Sequence, residues 1–168
     1  MKRSIISSLF VALLTCAALA QSGERGTAQV EIKGKKISVD YGRPSLHGRD
    51  MLSQATVGTV WRVGMNQATQ IETAGDLTIG GKVVKAGKYT LWAKKTGATT
   101  WTLGFHPKTG VWGAPELTEG YIAELPLTQG SATDSAEQLT ITLSEDNRKC
   151  RIKIQWGTAT LTGSFDVG

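Results

Sequence analysis

The feature that most constrains the fold is a two-residue alternation of apolar and polar side chains, which recurs in short runs from Thr27 to the end of the chain. Successive side chains of a β-strand point to opposite faces of a sheet, so each run predicts a strand with one buried face. Glycine-containing turn sequences separate the runs. Representative apolar rows, which predict buried side chains, are Ile37-Val39-Tyr41, Trp101-Leu103-Phe105, Leu139-Ile141-Leu143 and Ile152-Ile154-Trp156.

Nine or ten such strands predict an all-β fold, a single-domain antiparallel β-sandwich with almost no helix. Both an immunoglobulin-like and a jelly-roll strand order fit this pattern, because periodicity reports which face a residue occupies and not which strand it pairs with. Turns are expected at Gly34-Lys35 and at Gly80-Gly81, the second of the primed type. Residues 106–137 form a second irregular region around a short strand at residues 121–125.

The first twenty residues have the pattern of a signal peptide. Lys2 and Arg3 precede a short apolar run, and Ala18-Leu19-Ala20 has the small-x-small form of a cleavage site. We therefore expect an exported protein, periplasmic or extracellular, with a flexible segment at residues 21–26 and the domain at 27–168. Lipid attachment at Cys16 is disfavoured by Thr15 before it, and no segment has the roughly 20 apolar residues of a transmembrane helix.

Charge and cysteine content narrow the classes of partner. Loss of Lys2 and Arg3 lowers the formal net charge of +5 by two. No basic run with interleaved aromatic residues is present, so nucleic-acid binding is not expected. Cys150 is then the single cysteine, which leaves no intramolecular disulfide and favours a small buried apolar role over a reactive thiol. The oligomeric state is left open.

Residues 41–69 interrupt the alternation and form the candidate site. This stretch holds three arginines, no lysine and one acid, Asp50. Guanidinium is preferred over ammonium where the direction of hydrogen bonds matters, so the bias predicts fixed partners. A loop of more than about 15 residues is often a binding loop. The residues predicted to hold an anionic or sugar-like small ligand are Arg43, His47, Arg49, Trp61, Arg62, Asn66 and Thr69.

The alternative is that the arginines are paired within the protein and fasten the loop to the sandwich. A buried guanidinium needs a counter-charge or acceptor, and Asp50 cannot serve three of them. Glu72, Asp76, a C-terminal acid, backbone carbonyls or a ligand are the possible partners. The alternative predicts acceptors within hydrogen-bond distance of every guanidinium.

Several short motifs recur in order from the candidate site onward: Gly42-Arg43-Pro44, His47-Gly48-Arg49, Trp61-Arg62-x-Gly64-x-Asn66-x-Ala68-Thr69, Gly80-Gly81 and Ala86-Gly87-x-Tyr89-x-Leu91. With these motifs, the chain from about Ile37 to the C-terminus resembles an exported bacterial family, domain of unknown function 2911 (DUF2911). The resemblance implies a secreted β-rich domain without an established activity. The family pattern has Lys, Ala and Glu where this chain has His47, Met65 and Gln67. An amide at position 67 cannot act as a general base, so the resemblance gives no support to catalysis there.

Other functional classes lack their residues. Two histidines, His47 and His106, have no further ligand at metal-site spacing, so no metal or cofactor is predicted. A Gly-x-Ser-x-Gly elbow is absent, and no catalytic residue is assigned, which makes a hydrolase the least favoured hypothesis. Three tryptophans lie off the core-facing rows and are either sugar-stacking platforms or caps over the open ends of the sandwich: Trp61, Trp92 and Trp112.

Overall fold

A computed structural model describes residues 24–113 and 119–168 of the chain. Within these residues the secondary structure is entirely β, which confirms the predicted fold class. The ten strands are β1 (Arg25–Ile32), β2 (Lys35–Gly42), β3 (Val60–Trp61), β4 (Gln70–Thr73), β5 (Leu77–Ile79), β6 (Lys82–Val84), β7 (Gly87–Lys95), β8 (Thr100–His106), β9 (Ala123–Asp146) and β10 (Lys149–Val167).

The strands form one hydrogen-bonded antiparallel path in the order β1-β2-β4-β7-β8-β9-β10-β5-β6, with β3 paired to β7 beside it. The path folds back on itself, because β1 and β2 contact β9 although several strands separate them in the order. The chain after β2 is tied to β9 by an isolated bridge between Ser45 and Gln138. The apolar core therefore lies between two halves of one curved sheet.

Strand β9 corrects the prediction of an irregular region at residues 106–137. It is 24 residues long and includes residues 126–137, which the sequence analysis placed in a loop. The reason is visible in the burial of the strand, since no residue from 128 to 138 is buried. A strand segment without a buried face carries no apolar alternation, so the pattern that reveals the other strands is missing here.

The pairing of β9 with β10 is irregular around Gly157 of β10. The register shifts on both sides of Gly157, whose φ of 66° lies in the left-handed region. Both shifts place extra residues in β9, where residues 137–139 lie opposite Trp156 and residues 132–135 lie opposite Thr158. Extra residues in one strand bend it and increase its twist, and glycine accepts a left-handed backbone angle without strain. This bulge allows one long hairpin to contribute to both halves of the fold.

The predicted turns are close to the observed ones. Gly80 and Gly81 join β5 to β6 with φ of 55° and 80°, which confirms a turn of the primed type. The β1–β2 turn consists of Lys33 and Gly34, one residue earlier than expected. Strand β1 begins at Arg25, two residues before the predicted start of the first strand.

The core contains the rows that the alternation identified, including Trp101 on β8 and Trp156 on β10. Trp92 is also buried, with 1% exposure, on the opposite face of β7 from Leu91 and Ala93. Cys150 is fully buried, and its burial raises the pKa of the thiol to about 12. The thiol therefore keeps its proton at neutral pH, in agreement with a packing role.

Candidate functional site

The loop between β2 and β4 is seated on β2 by two glycines. A Cβ atom on Gly42 would overlap the carbonyl oxygen of Met65, and one on Gly64 would lie 2.9 Å from the hydroxyl oxygen of Thr69. The backbone of the loop therefore approaches β2 more closely than any larger residue allows. Thr69 is fully buried and its hydroxyl donates to the carbonyl of Val63 at 2.8 Å, which fixes the last turn of the loop.

Arg43 is paired within the protein. Its Nη1 lies 2.9 Å from a carboxylate oxygen of Glu24, and its Nε donates to the carbonyl of Leu139 at 3.4 Å. The side chain thus connects the segment before β1 with β9. Of the acids proposed from the sequence as partners, Glu72 pairs with Lys88 and Asp76 with Lys85 instead.

His47 and Arg49 lie on the exposed part of the loop. His47 has a φ of 48°, and its backbone N–H donates to the carboxylate of Glu137 at 3.1 Å. Arg49 donates its backbone N–H to the carbonyl of Leu46, and its guanidinium has no hydrogen-bond or ionic partner within residues 24–113 and 119–168. This part of the loop is fastened to β9 through its backbone.

Arg62 and Asn66 lie on the other limb of the loop, near Gly113. The carbonyl of Asn66 accepts the N–H of Gly113 at 3.1 Å, and the side chain of Arg62 covers Gly113, where a Cβ atom would lie 2.6 Å from its Cδ. Arg62 is exposed. The three arginines therefore occupy different surroundings. Within the described part of the chain, no acidic side chain is shared between them.

Beneath the loop lies a concavity of about 340 Å³, here called the tryptophan groove. Apolar side chains provide most of its wall. Its lining residues are Pro44, Met51, Leu52, Ala55, Thr59, Val60, Trp61, Arg62, Gly64, Met65, Trp101 and Trp156. Pockets that bind small molecules commonly have volumes of roughly 300 to 1,000 Å³ and a mainly apolar wall with a few polar groups.

Three tryptophans form the base of the tryptophan groove. The ring of Trp61 is parallel to that of Trp156, with 6.2 Å between centroids and an interplanar angle of 5°. It meets Trp101 edge-on, at 6.4 Å and 70°. Trp61 is half-buried, whereas the other two belong to the core. Such offset and edge-to-face contacts are favourable for aromatic pairs, so they hold the Trp61 ring in a fixed orientation.

A buried lysine stands behind the wall of the tryptophan groove. Lys95 is 6% exposed, its Nζ donates to the carbonyl of Ala55 at 2.8 Å, and the same atom lies 5.7 Å from the centroid of the Trp101 ring. An ammonium in this position is stabilised by the electron-rich ring face. The backbone N–H of Lys95 donates to the carbonyl of Thr59, so Lys95 also fastens the loop to β7.

The charged residue that lines the tryptophan groove is a cation. Arg62 is the charged residue among the described residues that line it, no acidic side chain is among them, and Lys95 adds a second cation nearby. These cations would repel a cationic ligand and attract an anionic one, and the low polarity of the wall strengthens both interactions. The apolar wall suits a ligand with an apolar body, and Arg62, whose side chain extends over Gly113, is the lining residue available to an acidic group at the edge.

The structure brings two of the predicted site residues, Trp61 and Arg62, to the tryptophan groove. The other five hold or border the loop. Sequence reasoning missed Met51, Leu52 and Lys95, and it assigned Trp101 and Trp156 to the core alone. The position of Lys95 on the apolar row of Leu91 and Ala93 was a signal that could have revealed the buried cation.

Comparison with known protein families gives a match over most of the chain. A family model described as "Protein of unknown function (DUF2911)" matches residues 23–165. The chain belongs to this family. No curated protein and no solved structure matches the chain. The family assignment confirms the resemblance inferred from the short motifs, and it brings no activity with it.

Two further observations bear on the site. Within residues 24–113 and 119–168, no group of three or more histidine, cysteine or acidic side chains is arranged to hold a metal ion. The same residues contain no helix with the length and apolar character needed to cross a membrane.

Proposed function

We propose that this protein is a ligand-binding module whose loop, at residues 43–69, encloses a small amphiphilic acid in the tryptophan groove. The observation that carries the proposal is the groove itself, which combines a largely apolar wall with Arg62 and no acidic lining residue. The apolar body of the ligand would contact Trp61, Met51 and Met65. Its carboxylate or sulfonate would accept hydrogen bonds from the Arg62 guanidinium.

Apolar contact supplies the affinity in this arrangement. Met51 is 50% exposed at the edge of the groove, so its side chain is available to a ligand. Each square ångström of apolar surface removed from water contributes about 25 cal/mol. The ring of Trp61 is held by its two aromatic neighbours, so little side-chain entropy is lost when a ligand packs against it.

The alternative of internally paired arginines is supported at Arg43, whose guanidinium contacts Glu24 and the carbonyl of Leu139. We therefore divide the arginines by role. Arg43 fastens the loop, and Arg62 is the ligand-binding residue. Arg49 and His47 are exposed on the same loop and would add positive potential or polar contacts at longer range.

A pair of fluorescent probes tests the proposal. Anilinonaphthalene sulfonate has an aromatic body and an acidic group, and N-phenylnaphthylamine has a similar body without the acid. We expect both to bind, and we expect Arg62→Gln to weaken sulfonate binding by roughly ten-fold while leaving the neutral probe unchanged, because one charge-assisted hydrogen bond contributes about 1.5 to 3 kcal/mol. Titration of probe fluorescence measures both affinities.

Arg148→Gln is the matched control, since Arg148 is exposed in the β9–β10 turn, outside the groove lining. It removes the same charge from the protein and should leave both affinities unchanged. An equal loss of sulfonate binding in the two variants would assign the effect to net charge and contradict the proposed role of Arg62. If neither probe binds, the proposal that the groove is a ligand site is contradicted.

We also propose that the protein is exported, on the basis of the pattern at residues 1–20. Signal peptidase cleavage after Ala20 would leave Gln21 as the first residue. Mass spectrometry of the protein recovered from a producing cell is expected to give the mass of residues 21–168. Recovery of the chain with its original Met1, or with a lipid on Cys16, would contradict this proposal.

A further inference from the structure

Trp112 is the most exposed of the large apolar side chains in the described residues, with 69% of its surface accessible. It lies in the segment that follows β8. Its backbone forms an antiparallel bridge with Gln67, flanked by hydrogen bonds from Ala68 N–H to Val111 and from Gly113 N–H to Asn66. Because these bonds join the neighbours of Gln67 and Trp112, the two residues themselves are a non-hydrogen-bonded pair. In such a pair the two side chains lie close together on one face of the sheet. The indole of Trp112 therefore stands beside the amide of Gln67.

Gln67 is also part of a second concavity, here called the polar trough. It has a volume of about 250 Å³ and is lined by Ser38, Asp40, Gln67, Gln70, Glu72 and Lys88. The register explains why these residues meet. Strands β2, β4 and β7 are adjacent, with Ser38 opposite Glu72, Asp40 opposite Gln70, and Glu72 opposite Lys88.

The charges of the polar trough are balanced, unlike those of the tryptophan groove. Asp40 is bound by Arg25, which also donates to the carbonyl of Gln67, and Glu72 lies 3.2 Å from Lys88. Each acid therefore has a basic partner. The trough offers several hydrogen-bond donors and acceptors on planar side chains without a net field that would select an ion.

From this arrangement we infer that Trp112 and the polar trough form a binding site for a neutral saccharide. A sugar ring has an apolar face of C–H groups, which packs against an exposed indole, and a rim of neighbouring hydroxyl groups, which donate and accept hydrogen bonds at once. The side chains of Gln67, Gln70 and Asp40 provide both acceptors and donors at the side of the indole. The site is separate in chemistry from the tryptophan groove and does not depend on the proposed function.

Affinity electrophoresis in gels containing uncharged polysaccharides tests this inference. The probes are hydroxyethyl cellulose, galactomannan, dextran and laminarin, with polygalacturonate as an acidic comparison. We expect at least one uncharged polysaccharide to retard the protein. Trp112→Ala should weaken that interaction by roughly ten-fold or more, because the stacking surface is lost. Trp112→Phe should restore part of the retardation, and Gln67→Ala should weaken it.

Val83→Ala is the matched control, because Val83 is a comparably exposed apolar residue, at 62%, on β6 at the other end of the strand order. It should migrate like the unmodified protein. The inference is overturned if none of the four uncharged polysaccharides retards the protein, or if Trp112→Ala is retarded as strongly as the unmodified chain. It is also overturned if only polygalacturonate causes retardation. Near-UV circular dichroism verifies that each variant is folded.

Discussion

Replacement of Trp101 by alanine is expected to lower the free energy of unfolding by about 3 to 5 kcal/mol. Trp101 is 1% exposed and belongs to the core, so the substitution leaves a cavity and removes the edge-on contact with Trp61. It also removes the ring beside the Lys95 ammonium and the hydrogen bond from Nε1 to Gln129, at 2.9 Å. Urea unfolding followed by circular dichroism measures the change.

The same substitution at Trp112 is the control, because it removes the same atoms from an exposed position. Exposed substitutions usually change stability by less than about 0.5 kcal/mol. The two variants should therefore differ by several kcal/mol. If Trp101→Ala were as stable as Trp112→Ala, the burial of Trp101 under the loop, and with it the base of the tryptophan groove, would be incorrect.

The contrast between these tryptophans shows what alternation can reveal. Trp101 and Trp156 lie on apolar rows, and their burial was predicted correctly from position alone. Trp92 lies on the opposite face of its strand and is nevertheless buried, so it presents no surface to a ligand. Alternation assigns residues to the two faces of a strand, but it does not show whether the outer face is exposed.

Loop residues were less predictable than strands for a physical reason. The bias toward arginine in residues 41–69 located the loop and two lining residues of the tryptophan groove. The partner of Arg43 could not be inferred, because Glu24 lies before β1 and only the pairing of β1 with β2 brings it near. The same holds for the polar trough, whose members meet through the register of three strands. The chemistry of a side chain can be inferred from the sequence, whereas the residues that meet in the folded protein depend on strand order and register.

Gly42→Ala is expected to destabilise the protein by about 3 kcal/mol and to lower its melting temperature by roughly 6 to 12 °C. The added methyl group would occupy the position of the Met65 carbonyl oxygen. Rotation of a side chain cannot relieve an overlap with backbone, so the loop must move away from β2. Differential scanning calorimetry measures the stability, and titration with anilinonaphthalene sulfonate measures the effect on the tryptophan groove, which should bind the probe more weakly.

Gly34→Ala separates this steric effect from the general cost of replacing glycine. Gly34 lies in the β1–β2 turn with a φ of 72°, and a Cβ atom there would meet no atom within 4 Å. Gly34→Ala should lower the free energy of unfolding by about 1 kcal/mol, from the left-handed backbone alone, and probe binding should be unchanged. Gly42 has no such backbone angle, so a larger loss at Gly42 must come from contact with the loop. Equal stability of the two variants, with unchanged probe binding in Gly42→Ala, would mean that the loop is not held against β2 at this position.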